Sequence, residues 1–117
     1  MYVKLLIPTY EPGGIDAKIY PHWKDSPTFT QVILSKEGNV VDIKVHKLLS
    51  DELIINLVVR EGINYVIAQS LSSRAIELLC KVGVKVLTGK VNTVKEALEK
   101  FRRRELYLLK LIKEPMK

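Results

Sequence analysis

The stretch Asn64–Thr88, NYVIAQSLSSRAIELLCKVGVKVLT, decides the fold. It contains two short apolar runs, Tyr65–Ala68 and Val84–Leu87, and each is typical of a buried strand. Between the runs, apolar residues recur at helical spacing after serines that can cap a helix, and Gly83 ends the helix. Consecutive strands joined by a helix run parallel, and their connection is right-handed. The stretch therefore predicts a βαβ unit.

The residues before this unit predict three more strands and a helix. The leucine-rich run Tyr2–Pro8 predicts a buried strand that proline closes. Residues 28 to 46 predict a β-hairpin, because a glycine-containing turn at Lys36–Asn39 separates a β-branched run from an alternating one. A helix follows between Ser50, which can act as its N-cap, and Gly62, which stops it.

After the unit, Thr93 and Glu96 have the spacing of a capping box, so a third helix begins there. The predicted order is β, β-hairpin, α, β, α, β, α. The hairpin is antiparallel and the later strands are parallel, so we expect an α/β fold with a five-stranded mixed sheet and helices on both faces. The apolar segment Leu106–Ile112 either continues the third helix onto the core or packs on another chain, and we favour a homodimer contact.

The composition is that of one domain, with a core at residues 1–105 and a C-terminal extension at 106–117. The chain has 117 residues, of which 47% are apolar, so a packed core is expected. Its apolar runs are far shorter than the roughly 20 residues that cross a bilayer, and no signal peptide is evident, which favours a cytoplasmic protein. A single cysteine excludes a disulfide framework and a cluster held by several thiolates of one chain. The net charge of +6 favours an anionic partner or a solvated surface.

The candidate site lies where three predicted strands end. Ligands of such sheets collect outside the carboxyl ends of the parallel strands. Two of these ends run directly into helix starts, whose free N–H groups and dipole favour anions. The loop that carries His22 leaves the first strand at the same edge. The side chains that could form an anion site there are Thr9, His22, Ser70, Ser72, Ser73, Arg74 and Lys90.

Most of these residues also have an ordinary structural interpretation. Ser72 and Ser73 have the pattern of helix caps, and a loop histidine is a metal ligand in only a minority of proteins. We expect His46 on the solvated face of the hairpin and Cys80 on the apolar stripe of the second helix. Trp23 is expected to anchor its loop by burying its ring.

Several patterns of enzymes are missing from the sequence. It contains no GxGxxG, no P-loop, no GxSxG and no His/Cys pair at metal-ligand spacing. The first strand contains no acidic residue, so a two-metal nuclease would lack its central carboxylate. We therefore expect no catalytic residue and no enzyme of these classes.

Several segments together carry a family resemblance over about residues 3–106. Their order and spacing resemble those of the dinitrogenase iron–molybdenum cofactor biosynthesis family, which contains the NifX proteins and the carboxyl-terminal domain of NifB. The segments are Ile7-Pro-Thr, Gly14-Ile-Asp-Ala, Pro21-His-Trp, Pro27-Thr-Phe, Arg60-Glu-Gly-Ile-Asn-Tyr-Val-Ile-Ala, Ala75-Ile-Glu-Leu-Leu, Val82-Gly-Val-Lys-Val and Thr93-Val-Lys-Glu-Ala-Leu.

This resemblance implies a ribonuclease H-like three-layer α/β/α fold. It also implies non-catalytic binding or carriage of an anionic metal–sulfur cluster or its precursor. The cargo would be an iron–sulfur or molybdenum-containing cluster that is bound non-covalently. The histidine of the family's Pro-His-aromatic motif maps onto His22, which makes His22 the candidate ligand of the metal.

The chain departs from the family pattern after the fourth predicted strand. The family has a glycine-rich loop there, whereas this chain has Gln69 and Ser70, whose side chains would narrow a pocket. One alternative is therefore a non-catalytic interaction or oligomerisation module that has lost cluster binding, or that binds a small anion. A weaker alternative is nucleic-acid binding through Arg102–Arg104, although few aromatic residues accompany these cations.

Overall fold

Six strands and three helices follow one another in the structure, a computed structural model that describes residues 2–48 and 50–109. Within these ranges no helix is long and apolar enough to cross a membrane. The strands are β1 (Val3–Thr9), β2 (Thr28–Leu34), β3 (Val40–His46), β4 (Tyr65–Ile67), β5 (Lys85–Thr88) and β6 (Tyr107–Leu109). The helices are α1 (Asp51–Glu61), α2 (Ser73–Lys81) and α3 (Val94–Arg102).

The strands form one mixed sheet in the order β3-β2-β1-β4-β5-β6. The pairs β1–β4 and β4–β5 are parallel, and the other three pairs are antiparallel. Helices α1 and α2 pack on one face, in a cluster with Leu6 and Phe29, and α3 packs on the other face with Leu5 and Ile7. The predicted ribonuclease H-like three-layer α/β/α fold is confirmed. The βαβ unit at residues 64–88 supplies β4, α2 and β5, as expected.

The alternation of β1 explains why the sheet is covered on both faces. Successive strand residues point to opposite sides, so Leu6 faces α1 and α2 while Leu5 and Ile7 face α3. All three side chains have no exposed surface. A strand in which three consecutive central residues are apolar and buried therefore fits a sheet with a helix layer on each side.

Each helix begins after a residue that the sequence predicts as a cap, and of the two candidate serines before α2 the cap is Ser72. Ser50, Ser72 and Thr93 are the N-caps, and each side chain accepts a hydrogen bond from the amide three residues further on. Helix α1 ends at Gly62, which adopts the left-handed conformation with φ of 69°. Local capping chemistry thus determines where the loops between strands and helices end.

The sixth strand corrects the expected five-stranded sheet, and it excludes one of the two alternatives for the apolar segment, a continuation of the third helix into residues 107–109. Helix α3 stops at Arg102, and Arg104 has a φ of 58°, which turns the chain back toward the sheet. Tyr107–Leu109 then pairs antiparallel with β5. The sheet therefore extends into the predicted C-terminal extension. Residues 110–112 of the apolar segment lie outside the described residues, and the homodimer contact stays a prediction.

Candidate functional site

His22 lies at the rim of a hollow of about 300 Å³ beside the start of α2. The backbone amide of Trp23 donates a hydrogen bond of 3.2 Å to the carbonyl of Ser70, which joins the loop after β1 to the loop after β4. The structure thus brings together three of the predicted site residues, His22, Ser70 and Ser72. The complete lining of this His22 hollow is His22, Trp23, Lys24, Asp25, Asp51, Ser70, Leu71 and Ser72.

Trp23 holds the loop of His22 in place. Its side chain is 4% exposed and belongs to the core cluster beneath α1 and α2. The indole ring meets the ring of Phe29 edge to face, with centroids 5.0 Å apart. The expectation that Trp23 anchors its loop is confirmed. Because its neighbour Trp23 is buried, the exposed imidazole of His22 is presented at the surface.

The start of α2 lies beside the hollow, and its N-cap Ser72 is part of the lining. Ser72 satisfies the amide of Ala75 through its hydroxyl and the amide of Ile76 through its carbonyl. Within residues 2–48 and 50–109, the amides of Ser73 and Arg74 have no hydrogen-bond partner. Free amides and the positive end of the helix dipole favour an anion at this point. Ser73 and Arg74 are exposed and are not part of the lining, so the structure does not bring these two predicted site residues into the hollow.

A second helix start also reaches the hollow, and the sequence interpretation missed it. Asp51, the first residue of α1, is part of the lining. The signal that could have indicated this contact is the topology, since α1 and α2 follow strands of one sheet and pack on the same face. Asp25 and Asp51 add carboxylates to a lining that also contains the cation of Lys24, beside the positive end of the α2 dipole. The hollow therefore has a mixed electrostatic character.

The described residues contain no group of three or more His, Cys, Asp or Glu side chains that could hold a metal ion. His22 is the single imidazole of the hollow. A bare divalent cation usually takes three or four protein ligands. Chemically, the hollow suits an anion or a metal group that brings most of its own ligands.

Thr9 lies away from the hollow, contrary to the expectation that it contacts a ligand. It has no exposed surface, and its hydroxyl lies 2.7 Å from the hydroxyl of Thr28 and 2.9 Å from that of Thr30. The backbone amide of Gly14 donates to the Thr30 hydroxyl at 3.1 Å. The loop after β1 thus covers the end of the strand, and the hydroxyl of Thr9 serves the packing of that loop.

The start of α3 is also closed, so the two predicted helix starts do not share a hollow. The amides of Val94 and Lys95 donate to the carbonyls of Ala17 and Ile15, at 3.0 and 3.1 Å. The loop after β1 therefore occupies the donors that an anion would need. Lys90 is exposed and lines a separate depression with Lys100, Tyr107 and neighbours, not the His22 hollow.

Gln69 leaves the hollow open. Its side-chain amide donates a hydrogen bond of 2.7 Å to the carbonyl of Val91, and Gln69 is not part of the lining of the His22 hollow. The expected narrowing by this side chain is therefore wrong. Ser70 does line the hollow. Ser70 therefore adds a hydroxyl to the hollow. Gln69 instead adds a hydrogen bond that joins the loop after β4 to the loop after β5.

Cys80 and His46 both differ from their expected positions. Cys80 is exposed, because the buried stripe of α2 runs through Ala75, Ile76 and Leu79 and the next residue along the helix turns about 100° away from Leu79. His46 is half-buried, and its Nε2 lies 2.8 Å from the side-chain oxygen of Gln31. The expectation of a buried cysteine and a purely solvated histidine is wrong.

His46 belongs to a polar network that the sequence interpretation missed. Gln31 is completely buried, and its amide nitrogen donates to the carboxylate of Glu61 at 3.2 Å. Lys44 also contacts that carboxylate, at 3.4 Å. The hydrogen bond from Gln31 is the main reason why the pKa of Glu61 lies below its ordinary value. The signal for this network was Gln31, a long polar side chain in a strand made otherwise of Thr, Phe, Val, Ile and Leu.

The network predicts a loss of stability in mild acid. Burial lowers the pKa of His46 below its ordinary value of 6.5, against a smaller opposing effect of Glu61. The unfolded chain then takes up a proton before the folded chain does, so this stability is present above about pH 6.5 and is lost as the pH falls through the folded-state pKa. Urea unfolding at about pH 7.5 and about pH 5.5 measures the change in the free energy of unfolding. We expect a smaller change in His46→Gln than in the wild type. Equal pH dependence in the wild type and His46→Gln would contradict the assignment.

Solved structures with the same fold cover nearly the whole chain. A candidate dinitrogenase from Methanocaldococcus jannaschii is similar with a TM-score of 0.77 and 18% identity, over 93% of this chain and 96% of that one. A candidate NifB protein from Thermotoga has a TM-score of 0.74 and 21% identity, with coverages of 96% and 97%. The apo form of the orange protein from Desulfovibrio gigas has a TM-score of 0.73 and 16% identity, with coverages of 91% and 92%. At these identities the likeness shows the fold.

A comparison with curated proteins gives no match. The model of one protein family does match, over residues 3–104, and its description is "dinitrogenase iron-molybdenum cofactor". That range contains all of the elements from β1 to α3 and every residue of the His22 hollow. The chain therefore belongs to the dinitrogenase iron–molybdenum cofactor family.

Proposed function

We propose that this protein binds and carries an anionic metal–sulfur cluster or its precursor in the cytoplasm, without catalysing a reaction. Membership of a family named for the iron–molybdenum cofactor supports cargo of this class. The observation that carries the proposal is the exposed imidazole of His22 beside the open amides at the start of α2. The cluster would be held non-covalently in the His22 hollow.

The chemistry of the hollow suits such a cargo. A cluster brings bridging sulfides as its own ligands, so a single imidazole is enough to complete the coordination of one metal. The amides of Ser73 and Arg74 and the hydroxyls of Ser70 and Ser72 are donors for the negatively charged sulfur atoms. The volume of about 300 Å³ lies at the lower end of the range for ligand sites, about 300–1,000 Å³.

The carboxylates of the hollow make binding reversible. Asp25 and Asp51 line the hollow and oppose a negatively charged cluster. Lys24 and the helix dipole attract the same cluster. A carrier has to release its cargo, and a site with opposing charges holds the cluster less tightly than a wholly cationic site.

Replacing His22 with alanine is expected to reduce cluster retention at least about tenfold, since even partners of metal ligands contribute roughly 10–100-fold to metal affinity. The purified protein is offered an iron–sulfur or molybdenum–iron–sulfur precursor without oxygen, and the metal that co-elutes in gel filtration is measured. The chain has two histidines, so His46→Gln is the matched control and should retain the metal. Unchanged retention in His22→Ala would remove His22 from the proposal.

An interaction module is the second candidate function, and the edge of the sheet at β6 favours it. Among the strands of residues 2–48 and 50–109, β6 has one neighbour, and Tyr107 and Leu108 on it are 72% and 44% exposed. An edge strand with exposed apolar side chains can pair with the same strand of a second copy. Light scattering should then show a dimer of the wild type, a monomer of Leu108→Lys, and a dimer of Leu53→Lys, which changes an equally exposed leucine of α1. A monomeric wild type would contradict this candidate.

A further inference from the structure

A groove of about 550 Å³ lies on the face of the sheet that α3 covers, beside the carboxyl end of that helix. We refer to it as the α3 groove. Its apolar floor belongs to the core cluster around α3, whereas Trp23 belongs to the cluster on the other face. The sheet therefore separates the α3 groove from the anchor of the His22 hollow. The floor is formed by Val3, Leu34, Tyr65, Leu87, Phe101 and Leu106.

The floor of the groove presents apolar surface that the fold leaves partly uncovered. Tyr65 and Phe101 are both half-buried, and their rings meet edge to face with centroids 5.1 Å apart. Leu106 packs so closely on Gly89 that a Cβ at that glycine would lie 2.8 Å from the leucine side chain. Leu106 is thus held against the backbone at one side of the groove, and an apolar ligand that covered the floor would remove further surface from water.

The rim of the groove is cationic. Lys36, Arg102 and Arg104 line it, with Glu37 as the single acidic residue of the lining. The Nε of Arg102 donates to the carbonyl of Gly38 at 2.7 Å, which fixes this guanidinium between the end of α3 and the β2–β3 turn. Within the described part of the chain, none of these four charged side chains forms an ion pair. The three cations are therefore available to an external anion.

We infer that the α3 groove is a second ligand site, which binds a soluble organic anion with an apolar body. The apolar body would lie on Tyr65 and Phe101, and the anionic group would lie against Arg102 and Arg104. The volume of the groove falls within the range of small-molecule sites. Because the groove and the His22 hollow lie on opposite faces, this site does not depend on the proposed cluster binding.

The test compares two dyes that differ in charge. The first, 8-anilinonaphthalene-1-sulfonate, has an aromatic apolar body with one sulfonate, and N-phenyl-1-naphthylamine has the same body without it. Fluorescence titration of the full chain should show saturable binding of the sulfonate and weaker binding of the neutral dye. Amide NMR shifts caused by the sulfonate should fall at residues 34–38 and 101–106 and leave residues 22–25 unchanged. Equal affinity for both dyes, or shifts confined to other residues, would overturn the inference.

Two exposed rim residues give variants with opposite expected effects. Arg104→Gln should weaken sulfonate binding about two- to fivefold, as expected for one exposed ion pair, and should leave the neutral dye unaffected. Glu37→Gln removes the opposing carboxylate and should strengthen sulfonate binding by roughly twofold. The matched control is Lys47→Gln, which changes an exposed cation outside the groove. An equal loss in Lys47→Gln and Arg104→Gln would show that net charge, and not the groove, attracts the dye.

Discussion

Replacing Trp23 with alanine is expected to lower the free energy of unfolding by about 3–5 kcal/mol, the range for large aromatic residues in a core. The indole is 4% exposed and packs edge to face on Phe29, which is 1% exposed. Its removal leaves a cavity under α1 and α2, where Leu57 and Leu79 are also fully packed. The aromatic pair itself accounts for about 0.5–1.5 kcal/mol of the loss.

The chain contains one tryptophan, so unfolding of this variant has to be followed by circular dichroism in urea. Trp23→Phe keeps part of the ring contact and should cost less than the alanine variant. Tyr2→Ala is the surface control, since Tyr2 is 58% exposed, and should change the stability by about 0.5 kcal/mol or less. A cost below about 1 kcal/mol for Trp23→Ala would show that the ring is not the anchor of the loop.

Replacing Gly13 with alanine is expected to cost about 2–5 kcal/mol, from two separate effects. Gly13 has a φ of +79°, a conformation that costs other residues about 1–2 kcal/mol. A Cβ at this position would also lie 2.7 Å from Cγ1 of Val45. Valine is stiff at χ1, so it does not rotate away freely, and overpacking costs about 1–3 kcal/mol.

Gly83 provides the control that separates the two effects. Its φ is +83°, close to that of Gly13, but a Cβ at Gly83 would meet no atom within 4 Å. Gly83→Ala should therefore cost only the conformational part, about 1–2 kcal/mol. Adding Val45→Ala to Gly13→Ala should recover part of the difference. Equal costs for the two glycine variants in urea unfolding would show that the contact with Val45 is unimportant.

Local patterns in the sequence were sufficient to predict most of the fold. The alternating hairpin, the apolar strands and the capped helices each depend on residues within one turn or one strand. Strand β6 was missed because it has only three residues, Tyr107–Leu109, and a short apolar run has no period that separates strand from helix. Its place in the sheet is decided by the turn at Arg104 and by pairing with β5.

The candidate site was predictable only in part, because it depends on contacts between distant segments. Ligands of such sheets collect at the carboxyl ends of the parallel strands, and this rule predicted that His22, Ser70 and Ser72 lie at one edge of the sheet. The structure places these three residues together. The carbonyls of Ile15 and Ala17 bind the amides at the start of α3, although they lie almost eighty residues earlier in the sequence. No local pattern indicates such a contact. The prediction that Cys80 is buried was wrong by only one helical position. Successive side chains of a helix point about 100° apart, so the residue after Leu79 lies outside the buried stripe.

The loop after β1 is attached to the start of α3 by two hydrogen bonds, and hydrogen exchange at their amides can report when the loop opens. The amides of Val94 and Lys95 are held by loop carbonyls and not by the helix itself. They exchange their hydrogens with deuterated solvent only when the loop lifts from α3 or the whole domain unfolds. Their exchange rates therefore measure how often the segment that carries His22 detaches at its other end.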